Sequence, residues 1–325
     1  PVKREAPSAK LLEMTKSVLA GFSSEDFVTH AATVGSALWS GSESLLQTLG
    51  EQFGSTADSD VKAKHELGNA RRDSLKHYSG AMFYYGGEWY WGVDRLYHLE
   101  QRLGALGADR RPDTPQIMPK QEVSAGKLRD NGSLTLELFV SVRSPYSAIV
   151  FDRVLAMVES TGVTLNVRPI LPMVMRGVSA TREKGVYIFS DAAREARASN
   201  VPYGDFYDPI GEPARRCYSL YPWACSQGKG NALLSSFLSA AFAQGVNTNN
   251  DRGLRQVVEK AGLDWASAKQ IVGQDGWQEI VEDNRLAMYA SGLWGAPSFR
   301  LLDADKNVVL ALWGQDRLWL FEREI

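Results

Sequence analysis

Trp89-Tyr90-Trp91-Gly92-Val93-Asp94-Arg95-Leu96 stands in the first third of the chain, and Ala311-Leu312-Trp313-Gly314-Gln315-Asp316-Arg317-Leu318 stands near its end. Both read as an apolar strand, then W-G-x-D-R-L, then an amphipathic helix that carries Leu99 and Glu100 in one case and Phe321 and Glu322 in the other. Self-similarity of this kind points to an internal duplication. The match extends upstream. Val34 to Leu49 has the tempo of Leu238 to Val258, and Asn69-Ala70-Arg71 with Tyr78-Ser79-Gly80 parallels Asn284-Arg285-Leu286 with Ala290-Ser291-Gly292. At this offset the counterpart of the strand opening at Leu134 falls before Pro1. The first copy is therefore expected to be incomplete, with its opening half upstream of this chain.

The predicted organisation follows. Residues 1–107 form the C-terminal part of the first copy, a helical insert followed by β-β-α. Residues 108–132 form a linker, where Arg110-Arg111-Pro112, Thr114-Pro115, Met118-Pro119 and Asp130-Asn131-Gly132 combine proline and charge without apolar periodicity. Residues 133–325 form a complete second copy. Within it, strands are expected at Leu134 to Val142 and Val163 to Pro169, flanking a helix from Pro145 to Ser160. Helical segments follow at about 190–291, and a hairpin of Ser298 to Leu302 and Val308 to Trp313 leads into a last helix. This β-α-β, helical insert, β-β-α order defines an α/β thioredoxin-like fold with an inserted helical domain.

Composition excludes several classes of function. With 325 residues, 44% of them apolar, and a formal net charge of -2, the chain has core enough for two domains and no general attraction to nucleic acid or anionic membrane. No apolar run is long enough to cross a bilayer, and Pro1-Val2-Lys3-Arg4-Glu5 lacks the apolar region of a signal peptide. Cys217 and Cys225 are neither a C-x-x-C pair nor a metal knuckle. They read as buried spectator thiols, which fits a cytoplasmic protein. His30, His65, His77 and His98 all fall in the first copy, so the second copy has no histidine base for a serine triad. No metal site is expected.

At Ser144-Pro145-Tyr146-Ser147, Arg168-Pro169, Lys184-Gly185-Val186-Tyr187 with Asp191, Trp294-Gly295-Ala296-Pro297 and Trp313-Gly314-Gln315-Asp316-Arg317, the second copy resembles the DsbA-like thioredoxin superfamily. More narrowly, it resembles 2-hydroxychromene-2-carboxylate isomerases and kappa-class glutathione transferases. The resemblance covers Leu134 to the C-terminus. Serines stand at 144 and 147, where a redox member carries C-x-x-C.

The resemblance implies glutathione as cofactor and Ser144 as the catalytic residue, its hydroxyl holding the sulfur as a thiolate at a helix N-terminus. It implies a cis bond before Pro297 that presents the backbone of Ala296 to a peptide-like ligand. Asp316 would pair with the γ-glutamyl ammonium, the Gln315 N–H with its carboxylate, and Lys184 with the glycine carboxylate. Tyr146, Ser147, Tyr187 and Trp294 would line the substrate pocket. Ordinary structural reasons exist beside each role: Ser144 with Pro145 is a good helix start, and Asp316 a good cap. The chain departs from the kappa pattern between Met173 and Glu183, where the loop is short and lacks an asparagine.

The leading expectation is a glutathione-dependent isomerase or transferase acting on a small electrophile, with the two copies paired as an internal pseudo-dimer. The alternative is a thioredoxin-like binding or scaffold module without chemistry. A dithiol oxidoreductase comes last, since neither active-site position holds a thiol.

Overall fold

The strand Thr135–Val140 has no exposed face, and its alternation sorts the whole module around it. The computed structural model describes residues 6–123 and 129–325. The terminal segment 1–5 and residues 124–128 of the expected linker lie outside the described residues. The chain divides into one compact unit of residues 1–80 and a second of 81–325.

The first unit is helical: α1 (Ala9–Gly21), α2 (Ser24–Ser40), α3 (Glu43–Phe53) and α4 (Asp58–Ser74). Serines start three of them. Ser8 accepts from the Leu11 N–H and Ser42 from the Leu45 N–H, while Ser23 and Asp26 form a reciprocal capping box. Leu11, Val18, Phe22, Val34, Ala37, Leu46 and Leu49 make its core.

The second unit opens with β1 (Met82–Tyr85) and β2 (Glu88–Trp91), a two-stranded antiparallel sheet. A 3-10 turn at Val93–Arg95 leads into α5 (Leu96–Ala105). The module proper comprises β3 (Thr135–Val140), α6 (Pro145–Thr161), β4 (Thr164–Pro169), a 3-10 turn at Met173–Arg176 and α7 (Arg182–Ala198). Then come α8 (Glu212–Ser226), α9 (Gly230–Ala243), α10 (Asp251–Lys260), α11 (Trp265–Ile271) and α12 (Trp277–Ala290). The hairpin β5 (Ser298–Leu302) and β6 (Val308–Trp313), a 3-10 turn at Gln315–Arg317 and α13 (Leu318–Glu324) end the chain. The sheet order is β4-β3-β5-β6, with β3 parallel to β4 and antiparallel to β5.

Leu136, Leu138 and Val140 of β3 join the main core with Val150, Phe151 and Val154 of α6 and Leu318 and Phe321 of α13. The alternate face carries Phe139, packed with Met288 of α12, and Glu137, which pairs with Arg168 at 2.8 Å and with Arg300. A buried carboxylate is tolerated there because two guanidiniums meet it. Helix α6 starts at the Ser144 cap with Pro145 in its first turn and stops at Gly162. Gly162 sits at φ +77°, and a Cβ there would come 3.0 Å from the Asp130 carbonyl, so both backbone conformation and space favour glycine.

Three expectations need correction. The units divide at Gly80/Ala81 and not in the 108–132 segment, because residues 81–123 pack on the thioredoxin module through Arg95, Tyr97 and Lys120. The helical insert begins at Arg182 and not near 190, because Thr181 caps α7 through the Lys184 N–H. Of the two thiols, Cys217 is buried and burial pushes its pKa up, but Cys225 is exposed.

Candidate functional site

The end of β3, the start of α6 and the turn before β5 converge on one cleft. The Ala296–Pro297 bond is cis. The Ser144 hydroxyl donates to the Ala296 carbonyl at 3.0 Å and accepts from the Ser147 N–H at 3.2 Å. Ser144 is thus both cap and cleft residue, and its partners are backbone groups rather than an imidazole. Ser147 is fully buried and its hydroxyl accepts from the Ser141 N–H, so it stabilises the turn and does not line a pocket.

Aromatic rings wall the cleft. Trp313 lies 5.3 Å from Trp294 and 5.8 Å from Trp91, ring centre to ring centre, and Trp91 lies 5.9 Å from Tyr187. Gly295 makes this stacking possible: a Cβ there would fall 2.6 Å from the Trp313 indole nitrogen. The Lys184 ammonium stands 6.0 Å from the Trp294 ring centre, a cation–π distance. Between Trp91, Tyr146, Pro297, Trp313 and the turn 314–317 lies a cavity of about 60 Å³.

Below the cleft lies a network of buried charge. Arg95, 3% exposed, donates through Nε to both Asp191 oxygens at 3.1 and 2.9 Å, and through Nη1 to Asp316 Oδ2 at 2.8 Å. Asp191 also accepts from Tyr146 Oη at 2.8 Å, Tyr187 Oη at 3.3 Å and Arg194 at 2.7 Å. Burial alone would raise the Asp191 pKa, but the Arg95 and Arg194 guanidiniums hold it below the usual carboxylate range. Glu195, one helical turn on, accepts from Tyr97 Oη at 2.6 Å and Gln315 Nε2 at 2.7 Å, and lies 2.8 Å from His98 Nε2. Burial opposes its ionisation too, yet the His98 hydrogen bond and the Arg95 charge hold its pKa down to about 2.

The expected site residues therefore divide. Ser144, Tyr146, Ala296, Pro297, Asp316 and Trp294 come together around the cleft, with Lys184 at Trp294. Tyr187 is buried and its hydroxyl turns to Asp191. Gln315 is buried with its side chain between Glu195 and Arg153, the latter donating to Oε1 at 3.1 Å. Arg95, Tyr97, His98, Glu195 and Arg194 were not foreseen as site residues. The signal was the D-R pair that occurs twice in the sequence: Arg95 meets Asp316 and, reciprocally, Arg317 meets Asp94 at 2.5 and 2.7 Å. His98 stands well before the thioredoxin module in sequence, yet its imidazole lies beside Glu195 of α7.

A four-stranded sheet bearing a cis-proline turn against the N-terminus of its first helix, with a long helical insert after the second strand, defines a thioredoxin-like module of the DsbA type. The DSBA-like thioredoxin domain matches residues 135–325, and the chain belongs to that family. The chain is similar in structure to 2-hydroxychromene-2-carboxylate isomerase, at 18% identity and a TM-score of 0.49 over 58% of this chain and 93% of that one. It is also similar to the cytosolic disulfide reductase DsbM of Pseudomonas aeruginosa, solved without and with GSH. Those likenesses have 19% and 18% identity and a TM-score of 0.44, over 57% of this chain and 92% of that one. No curated protein matches the chain by sequence. Among the described residues, no helix is long and apolar enough to cross a membrane, and no group of three or more His, Cys, Asp or Glu side chains is placed to hold a metal ion.

Proposed function

We propose that this protein is a glutathione-dependent isomerase or transferase acting on a small electrophile at the Ser144 cleft. One observation carries the reading: a serine hydroxyl, not a thiol, stands at the N-terminus of the 17-residue helix α6, 3.0 Å from the carbonyl before a cis proline. A hydroxyl there can donate to a thiolate, and the helix N-terminus favours the negative charge. The donor set fits the rest of a γ-glutamyl tripeptide. The Ala296 backbone can pair with a peptide group, and Lys184 can meet a terminal carboxylate. Asp316 has one oxygen on Arg95 and a side chain 22% exposed, which leaves Oδ1 for an ammonium. When bound, glutathione supplies a nucleophilic thiolate for reversible addition to an activated double bond. The chain's residues hold the sulfur, orient the backbone and stack a planar substrate against Trp294 and Trp313.

We also infer that the two W-G-x-D-R-L segments are duplicates that face each other as an internal pseudo-dimer. The crossed pairs Arg95–Asp316 and Arg317–Asp94 support this, as do the Trp91–Trp313 contact and the shared strand-strand-turn-helix order.

A second reading, a binding module without chemistry, is favoured by the size of the cleft. About 60 Å³ is well below the roughly 300 Å³ of an ordinary ligand pocket, and Arg95 already occupies part of Asp316. Calorimetric titration of reduced glutathione separates the two. The enzyme reading expects micromolar to millimolar binding that weakens by about tenfold or more in Ser144→Ala and Asp316→Asn, together with turnover of an activated alkene that depends on glutathione. Absence of saturation at roughly 10 mM would leave the binding module standing.

A further inference from the structure

A second cavity, of about 370 Å³, opens on the other side of the turn 315–317, between the 118–123 segment and helices α6, α7 and α13. It shares Asp94, Gln315, Asp316 and Arg317 with the smaller cavity beside Pro297 but not Pro297, Trp91 or Trp313. Its volume lies in the range of small-molecule sites.

Its charge is unbalanced at contact range. Each carboxylate of its wall already has a contacting partner: Asp94 has Arg317, Asp316 has Arg95 on Oδ2, and Glu195 has Tyr97, His98 and Gln315. Two cations of the same wall meet only neutral acceptors. Arg153 donates to the Gln315 amide oxygen at 3.1 Å, and Lys120 donates to the Ala198 carbonyl and, at 3.0 Å, to the Ser199 hydroxyl. Burial lowers the pKa of both groups, and the Arg153 charge lowers that of Lys120 further, while the more distant carboxylates Glu195, Asp316 and Glu122 offset this only in part. Two partly buried cations without a contacting carboxylate favour an incoming anion. A guanidinium with N–H groups to spare suits a planar carboxylate. Met118, Val123, Leu318 and Trp319 line the same cavity and supply apolar surface.

We infer that this cavity binds a small organic carboxylate, its head on Arg153 and Lys120 and its apolar body against Met118, Val123, Leu318 and Trp319. The inference does not require glutathione at Ser144. It assigns the cavity a ligand of one negative charge with an aliphatic or aromatic body.

The test titrates hexanoate and benzoate into the full chain, with hexylamine and inorganic phosphate as comparison probes, and follows saturation by calorimetry and ligand-observed NMR. Saturable millimolar binding of both carboxylates is expected. It should weaken about tenfold or more in Arg153→Gln, by loss of a charged hydrogen-bond pair, and persist in Ser144→Ala, which separates this cavity from the serine cleft. Lys120→Gln, on a segment outside helix and strand, should weaken it by a smaller factor and decides the matter if Arg153→Gln does not fold. No saturation by either carboxylate would overturn the inference. So would unchanged binding in both cation variants, loss of binding in Ser144→Ala, or phosphate and hexylamine binding as tightly as hexanoate.

Discussion

Arg95 and Arg317 occupy the same position of the same repeated motif, yet one is a buried hub and the other a half-exposed ion pair. Arg95 is 3% exposed and meets Asp191, Glu195 and Asp316. Arg317 has a side chain 30% exposed and, among the described residues, pairs with Asp94. The difference lies in what faces each. Arg95 points into a complete thioredoxin module, where α7 presents Asp191 and Glu195 one turn apart on its buried face. Arg317 points toward the 89–96 segment, which offers Asp94 and no such helix. One motif thus takes its energetic weight from the element opposite it, not from its own sequence.

Arg95→Leu breaks this comparison most severely. It leaves Asp191 and Glu195 buried without their main counter-charge, and removing one partner of a buried pair typically costs about 3–5 kcal/mol. Urea unfolding followed by tryptophan fluorescence should show that loss for Arg95→Leu, with partial recovery in Arg95→Lys. A cost no larger than that of Arg317→Ala would mean that the hub is only geometric.

Acid provides a milder probe of the same hub. Glu195 has its pKa lowered from 4.5 to about 2 on folding, and that of Asp191 is lowered as well. Groups with depressed folded pKa values contribute stability that is complete above their unfolded pKa and lost as pH falls through the folded one. Stability should therefore decline from about pH 4.5 toward pH 2, by roughly 3 kcal/mol for Glu195 alone. Glu195→Gln should flatten that limb in denaturation curves taken across pH. An unchanged slope would show that Glu195 titrates normally in the native state.

Much of the fold was legible because its strands obey simple rules. Ser298–Leu302 and Val308–Trp313 fall where the apolar runs and the Gly-Ala-Pro step place them, and Ser144 with Pro145 marks the start of α6. Helix α7 was misread by eight residues at its start for a physical reason. Its buried face is Tyr187, Asp191, Ala192, Glu195 and Ala196, so two carboxylates stand where helical periodicity expects apolar groups. Those carboxylates make sense only once Arg95, nearly a hundred positions earlier in the chain, is known to meet them. The same distance in sequence hid His98 and Tyr97. Ser144, Pro297 and Asp316 fall at one cleft, and each belongs to a short motif whose residues are neighbours in the chain.

The smallest effect is the sharpest test of the asymmetry. Arg317 and Asp94 form a bidentate pair whose side chains are 30% and 25% exposed. Water screens such a pair, and holding two long side chains in place costs entropy, so coupling of about 0.2–1 kcal/mol is expected. A double-mutant cycle with Arg317→Ala and Asp94→Ala, read by urea denaturation, isolates that coupling from changes in helix start or packing. The cycle needs both single variants folded, and the half-exposure of each side chain makes that the expected case. Coupling within that range leaves Arg95 as the energetic centre of the crossed pairs. Coupling above roughly 2 kcal/mol would place Arg317 on the same footing as Arg95. The two W-G-x-D-R-L segments would then be equivalent in energy, though not in burial, and the helix opposite Arg95 could no longer account for the difference between them.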